Sequence, residues 1–344
     1  MNQSNKAIHL LRFPLILSIV AIHSDTREVE QMENLYMFSQ LMDFLKIYVL
    51  FPSLYTFFFI SGYLFFREKK FSWQIYLHKL KRRVHTLLIP FLLWNAIALV
   101  AIWIWQTAFP ESDSLLQKRV SDFRWQDFLL IFWDKRAVTG SPSDPHSALL
   151  LPFWFVQNLM VMVGLSPIVW IVIRYLKGFF PIFLLAIYVF VDIPSYPGFN
   201  ETSFLFFPLG AWYGVWIKDG NRKMWLWLFA ALMLLVVKWK FNTVYDILFC
   251  FLLVALTERI ISYDFKMPAW ANQLSSQSFF VFAAHMFFCS VIMKILNRIA
   301  FPHNDFSATI EFVSVVLINV LLCLLVGFLL RKLSPRIYSL LTGR

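Results

Sequence analysis

Apolar stretches recur along this chain at 8–25, 45–66, 86–109, 150–173, 178–194, 203–218, 224–239, 242–262, 276–299 and 309–332. Each approaches the length a helix needs to cross about 30 Å of hydrocarbon. In lipid every backbone N–H and C=O must find a partner within the protein, so such a chain folds as a bundle of transmembrane helices. Composition agrees: 59% of the residues are hydrophobic and only 15% are charged, against about 25% charged in a soluble domain. The expected fold is therefore all-α, a polytopic membrane bundle of about ten helices. It forms a single domain over 1–344, with its longest connection at about 110–149.

The distribution of Lys and Arg sets the orientation. The 67–85 connection carries Arg67, Lys69, Lys70, Lys79, Lys81, Arg82 and Arg83 against one acid, Glu68. Basic residues also mark 174–177, the KDGNRK turn at 218–223 and the C-terminal tail, whereas 26–44 is mixed and 195–202 holds only Glu201. Both termini are thus expected in the cytoplasm. The net charge of +11 is read as topology, not as affinity for nucleic acid. Cys250, Cys289 and Cys323 lie inside apolar runs, which offers neither a disulfide framework nor paired zinc spacing; no metal is expected. The first apolar run contains Arg12, Pro14 and His23 and has no small-residue cleavage site, so it is expected to be retained.

Arg12 and His23 are the most informative polar residues. Eleven positions apart on a helix, they lie within about 20° of one face and about 16 Å apart along the axis. Such groups are costly in lipid and usually face a bundle interior or a watery cavity. An imidazole titrates near neutrality and can serve as general base for a hydroxyl nucleophile. Asp25 would orient that imidazole if the helix ends there, as the acid of a triad orients its base; otherwise it is a solvated acid. Arg12 either binds a phosphate or carboxylate or snorkels to the inner surface.

Other candidates follow along the chain. The basic loop YLHKLKRRVHTLLIP offers Lys79, Lys81, Arg82 and Arg83 to anionic headgroups or to a phosphorylated soluble donor. FFFISGYLFF at 57–66 places Ser61 and Gly62 where small residues allow close helix packing. PFWFVQNLM at 152–160 sets Trp154, Gln157 and Asn158 either as helix glue or as the lining of a sugar pocket. His285, in SQSFFVFAAHMFF, is a second intramembrane imidazole. Within the 110–149 loop, WQDFLLIFWD at 125–134 is expected to form a short amphipathic helix, and GSPSDPH at 140–146 a turn.

In order along the chain, Arg, ten residues and His in the first helix, FFFISGYLF, a Lys-Arg-Arg stretch leading into LLIPFLLW, WFVQNLM and SFFVFAAH together resemble the membrane-bound acyltransferase family 3. The resemblance implies O-acylation, usually O-acetylation, of an extracytoplasmic polysaccharide or glycolipid by cytoplasmic acetyl-CoA or another acyl-CoA. It also implies a bacterial inner membrane, a standalone type without a fused hydrolase-like domain, and essential roles for Arg12 and His23. WFVQNLM departs from members with a Trp-Ser-Leu-Ser-Val-Glu motif and looks closer to the Trp-Phe-Leu pattern linked to surface polysaccharides. Val281-Phe282-Ala283-Ala284-His285 stands where members often have Tyr-Leu-X-His.

The resulting expectation assigns catalysis to His23 and Asp25, as base or acyl carrier and its orienter. Donor phosphates fall to Arg12, Lys79, Arg82 and Arg83, and the acceptor to Trp154, Gln157, Asn158 and His285. The rival readings are a glycolipid or organic-anion transporter and a structural membrane subunit.

Overall fold

The computed structural model describes residues 3–28, 35–68, 71–110, 116, 118–140, 146–216, 241–261, 268–299 and 304–344. Among them the regular structure is helical, with one isolated bridge between Tyr196 and Phe199. The helices are α1 (Gln3–His23), α2 (Tyr36–Leu45), α3 (Phe51–Phe66), α4 (Trp73–Arg83), α5 (Ile89–Ala108), α6 (Trp125–Leu130), α7 (Lys135–Thr139), α8 (Trp154–Gly164), α9 (Ser166–Leu176), α10 (Phe180–Phe190), α11 (Glu201–Trp216), α12 (Phe241–Ile261), α13 (Ala269–Ile299), α14 (Asp305–Leu333) and α15 (Pro335–Thr342). Wide π-helical turns, Lys46–Leu50 and Val84–Leu88, join α2 to α3 and α4 to α5.

Among the described residues five helical segments are long and apolar enough to cross a membrane: Tyr36–Phe66, Trp73–Ala108, Ser166–Phe190, Ala269–Ile299 and Asp305–Leu333. Ile8–His23, Leu151–Gly164 and Thr243–Val254 are apolar but shorter. The chain is a multi-pass, all-helical membrane protein. The stretch expected at 224–239 and the turn at 218–223 lie outside the described residues.

Two sequence expectations are corrected. The basic 67–85 connection is not a loop: α4 occupies most of it, opened by Ser72, whose Oγ accepts from the Ile75 N–H at 3.2 Å. Trp73, Tyr76, Leu77 and Leu80 already carry the i, i+3, i+4, i+7 spacing of a helix face, hidden by the surrounding charge. The stretch at 150–173 is divided between α8 and α9, with Pro167 in the first turn of α9. A proline there costs no intrahelical hydrogen bond, because the first N–H groups of a helix lack partners anyway.

The described helices group into two compact units, residues 1–68 with 206–333, and residues 69–205 with 334–344. In the first, α1 packs on α3, α12 and α13, and α13 lies along α14. The α3 and α11 backbones approach closely at glycines: a Cβ on Gly62 would fall 2.0 Å from the Phe207 carbonyl oxygen, and one on Gly210 1.9 Å from that of Phe59. This is the small-residue packing expected of Gly62. Phe38 of α2 is buried edge-on against Phe312 of α14. The Phe38 N–H donates to Asp305 Oδ1 at 2.8 Å.

In the second unit, α15 docks on α5 through Trp94, whose indole N–H donates to the Leu341 carbonyl at 2.9 Å. The Tyr76 hydroxyl of α4 donates to the Gly164 carbonyl at 3.1 Å. Part of the 110–149 connection folds onto α5 through buried Leu99, Leu116, Val120, Ile131 and Val138. The amphipathic helix expected at 125–134 is shorter, ending at Leu130.

Candidate functional site

His23 is the last residue of α1. A helix end leaves carbonyls without intrahelical partners, and here side chains take them up. The Ser24 hydroxyl donates to the Val20 carbonyl at 2.8 Å, and the Cys289 thiol of α13 donates to the His23 carbonyl at 3.0 Å. One turn before Cys289 on the same face, His285 presents its ring to His23. The two ring centroids are 5.4 Å apart and tilted by 40°. The structure thus brings together two imidazoles separated by most of the sequence.

His285 is fully buried. Its Nδ1 lies 2.7 Å from the Phe282 carbonyl. A carbonyl only accepts, so Nδ1 carries the proton and the neutral ring is left with a lone pair on Nε2. That nitrogen is buried without a hydrogen-bond partner among the described residues. On the α14 side, buried Asn319 donates from Nδ2 to the His285 carbonyl at 3.2 Å, and Cys323 reaches Asn319 Oδ1 at 3.5 Å. The backbone at His285 is therefore braced from α14, and that at His23 from α13.

Asp25 is also buried, but its carboxylate does not turn to His23. It accepts from the Arg27 backbone N–H at 3.1 Å and from Arg27 Nε and NH2, the latter at 2.8 Å. Lys46, the first residue of the π-helical turn, reaches it at 2.7 Å. Burial opposes ionisation of Asp25; the hydrogen bonds and charges of Arg27 and Lys46 outweigh it and hold the carboxyl below its ordinary value. Arg27 continues to the Ser39 hydroxyl at 2.8 Å and to Asp43 at 3.0 Å. The orienting role expected of Asp25 is replaced by an anchor that fixes the segment after α1 to α2.

The remaining expected residues fall elsewhere. Arg12 is exposed on α1, eleven residues before His23 in one continuous helix. Lys79 and Arg83 are half-buried and Arg82 is exposed on α4, in the second unit. Trp154 is half-buried at the start of α8, while Gln157 and Asn158 are buried. Gln157 Oε1 accepts from the Ala148 N–H at 3.0 Å and Nε2 donates to the Trp133 carbonyl at 2.7 Å. Asn158 Nδ2 donates to the Trp154 carbonyl at 2.8 Å, and its Oδ1 accepts from the Ser203 hydroxyl at 3.0 Å. These amides tie chain segments of the second unit together, the helix-glue alternative.

Sequence reading passed over Asn319 and Lys46, and took Cys289 only as a cysteine inside an apolar run. Asn319 carried a usable signal, being an amide inside an apolar run, the pattern that singled out Arg12 and His23. A membrane-embedded helical protein with two apposed imidazoles at a buried helix end is the class that this geometry defines. The chain belongs to acyltransferase family 3: the family's profile, described as an acyltransferase domain, matches residues 5–328. No curated protein and no solved structure matches it.

Proposed function

We propose that this membrane acyltransferase moves an acetyl group from cytoplasmic acetyl-CoA to a hydroxyl of an extracytoplasmic polysaccharide or glycolipid. The observation that carries the reading is the apposition of His23 and His285 in a chain of this family. In the proposed reaction His23 takes the proton of the acceptor hydroxyl as its oxygen attacks the thioester carbonyl. The tetrahedral intermediate then collapses, the C–S bond breaks, and the proton passes to the departing CoA thiolate. A positioned base contributes about 10²–10⁴-fold to such a step. An acyl-histidine on His23 is the two-step form of the same chemistry. The buried lone pair of His285 supplies a hydrogen-bond acceptor beside that base, for the His23 ring or for the acceptor hydroxyl.

The cations proposed for the anionic groups of the donor are Lys79, Arg82 and Arg83 on α4; Arg12 on α1 is proposed on the ground of the family resemblance alone. Replacing each is expected to raise KM for acetyl-CoA more than it lowers kcat. The proposed setting is a bacterial inner membrane, with about ten helices, both termini in the cytoplasm and one acyltransferase domain running through both units.

The test is acceptor-dependent release of CoA from radiolabelled acetyl-CoA by the purified chain in lipid nanodiscs, together with mass spectrometry of surface glycans from cells with and without the gene. His23→Ala is expected to lower transfer by about 10²–10⁴-fold. Full transfer by that variant at equal protein level would overturn both the base and the acyl-carrier forms.

A further inference from the structure

The second unit contains a cleft of about 270 Å³, lined by both apolar and polar groups, that the acyl-transfer chemistry does not use. Trp103, Gln106 and Thr107 line it from the C-terminal part of α5, and Pro110, Arg119 and Ser121 complete it from the segment that follows. The three α5 residues stand at i, i+3 and i+4, so they share one helix face. The wall is built, not incidental. The Val120 N–H donates to Gln106 Oε1 at 2.9 Å, and Arg119 donates from NH2 to the Pro110 carbonyl at 2.7 Å. These bonds hold the 118–121 segment against the helix.

The chemistry of the lining is specific. Trp103 is half exposed and offers an aromatic face of the kind that packs against the C–H face of a sugar ring. The Thr107 hydroxyl donates to the Trp103 carbonyl at 2.8 Å, and that of Ser121 to Asp122 at 3.1 Å, so both oxygens keep lone pairs for the hydroxyls of a ligand. A guanidinium has five N–H donors; those not bound to Pro110 can grip a carboxylate in the planar, two-point manner that favours Arg over Lys. An apolar face with a few convergent polar groups and one fixed cation is the make-up of a small-ligand site.

We infer that this cleft docks a saccharide unit bearing a carboxylate, as part of the glycan acceptor. The assignment of the ligand as acceptor rests on the acyltransferase reading, and on the orientation that puts this end of α5 outside the cytoplasm. The binding site itself does not.

The experiment measures calorimetric binding to the full-length chain in phosphatidylcholine nanodiscs. The probes are oligogalacturonate and dextran oligosaccharides of equal length. Oligogalacturonate is expected to bind about tenfold more tightly, the equivalent of one good polar contact. Arg119→Gln should erase that preference. Trp103→Ala should weaken both ligands, and Trp103→Phe, which keeps an aromatic face, should restore most of the loss. Equal binding of the two probes, no binding of either, or variants that bind like the parent protein would overturn the inference. So would loss of oligogalacturonate binding when phosphatidylglycerol replaces phosphatidylcholine, because the cleft would then belong to a lipid headgroup. His23→Ala is expected to bind normally. Binding without acetyl transfer by the parent protein would remove the enzymatic reading alone, and transfer without binding would remove this inference alone.

Discussion

His285 and Gln157 are both fully buried polar side chains in helices of an apolar chain, yet they are treated in opposite ways. Gln157 spends its oxygen on the Ala148 N–H and its nitrogen on the Trp133 carbonyl. His285 uses Nδ1 locally and leaves Nε2 buried without a hydrogen-bond partner among the described residues, beside a second imidazole. Leaving a buried polar atom unpaired costs about 1–3 kcal/mol. The amides of Gln157 and Asn158 are consumed in tying segments together, whereas this nitrogen keeps an acceptor beside His23 that the proposed base catalysis would use. Buried polar residues in a membrane protein are thus better sorted by what their atoms touch than by their mere presence in an apolar run.

The largest expected effect separates the two directly. His23→Ala should lower acceptor-dependent CoA release by about 10²–10⁴-fold while leaving the thermal midpoint in nanodiscs near that of the parent. Gln157→Leu should do the reverse. It strands the Ala148 N–H and the Trp133 carbonyl, a combined cost of about 2–4 kcal/mol, with turnover per folded molecule unchanged. If Gln157→Leu lost turnover at full stability, the amide would belong with the substrate site and the contrast would collapse. Asn319→Leu is intermediate, removing a brace on the His285 backbone. About 1 kcal/mol of stability and a several-fold drop in kcat with KM unchanged are expected from melting and steady-state kinetics.

The class of the protein was open in the sequence because its signals are local. The apolar lengths announced membrane helices, and the Arg12–His23 spacing survives in the continuous helix α1. Gly62 was legible as a packing position for the same reason: a small residue within an aromatic helix has few other uses. The apposition of His23 and His285 was not legible, since it depends on how α1 and α13 pack, and no periodicity encodes that. Asp25 misled for a related reason. Its neighbours in sequence suggested His23, whereas a π-helical turn brings Lys46 to it from a separate helix. The helix α4 was hidden because a dense run of Lys and Arg looks like a connection even when its apolar residues keep helical spacing.

The smallest expected effect on turnover tests whether Asp25 belongs to the anchor or to the reaction. Its carboxyl lies below its ordinary value of 3.8 in the folded protein. A depressed value means that the folded state binds protons less readily than the unfolded one, so the stabilisation is complete above about pH 4 and is lost as pH falls through the lower folded value. Asp25→Asn should therefore lower the thermal midpoint at pH 7, where it leaves the part-buried Arg27 and Lys46 without their shared anion, at a cost of about 1.5–3 kcal/mol. The gap between variant and parent should close on acidification below about pH 4, where the parent carboxylate is itself neutralised. Across pH 6–8 the turnover of folded Asp25→Asn should follow the parent's pH profile, because the carboxylate stays ionised throughout that range and holds the backbone rather than the imidazole. A displaced pH profile for this variant would put Asp25 back beside His23 in the proton transfer and remove the distinction between anchor and site.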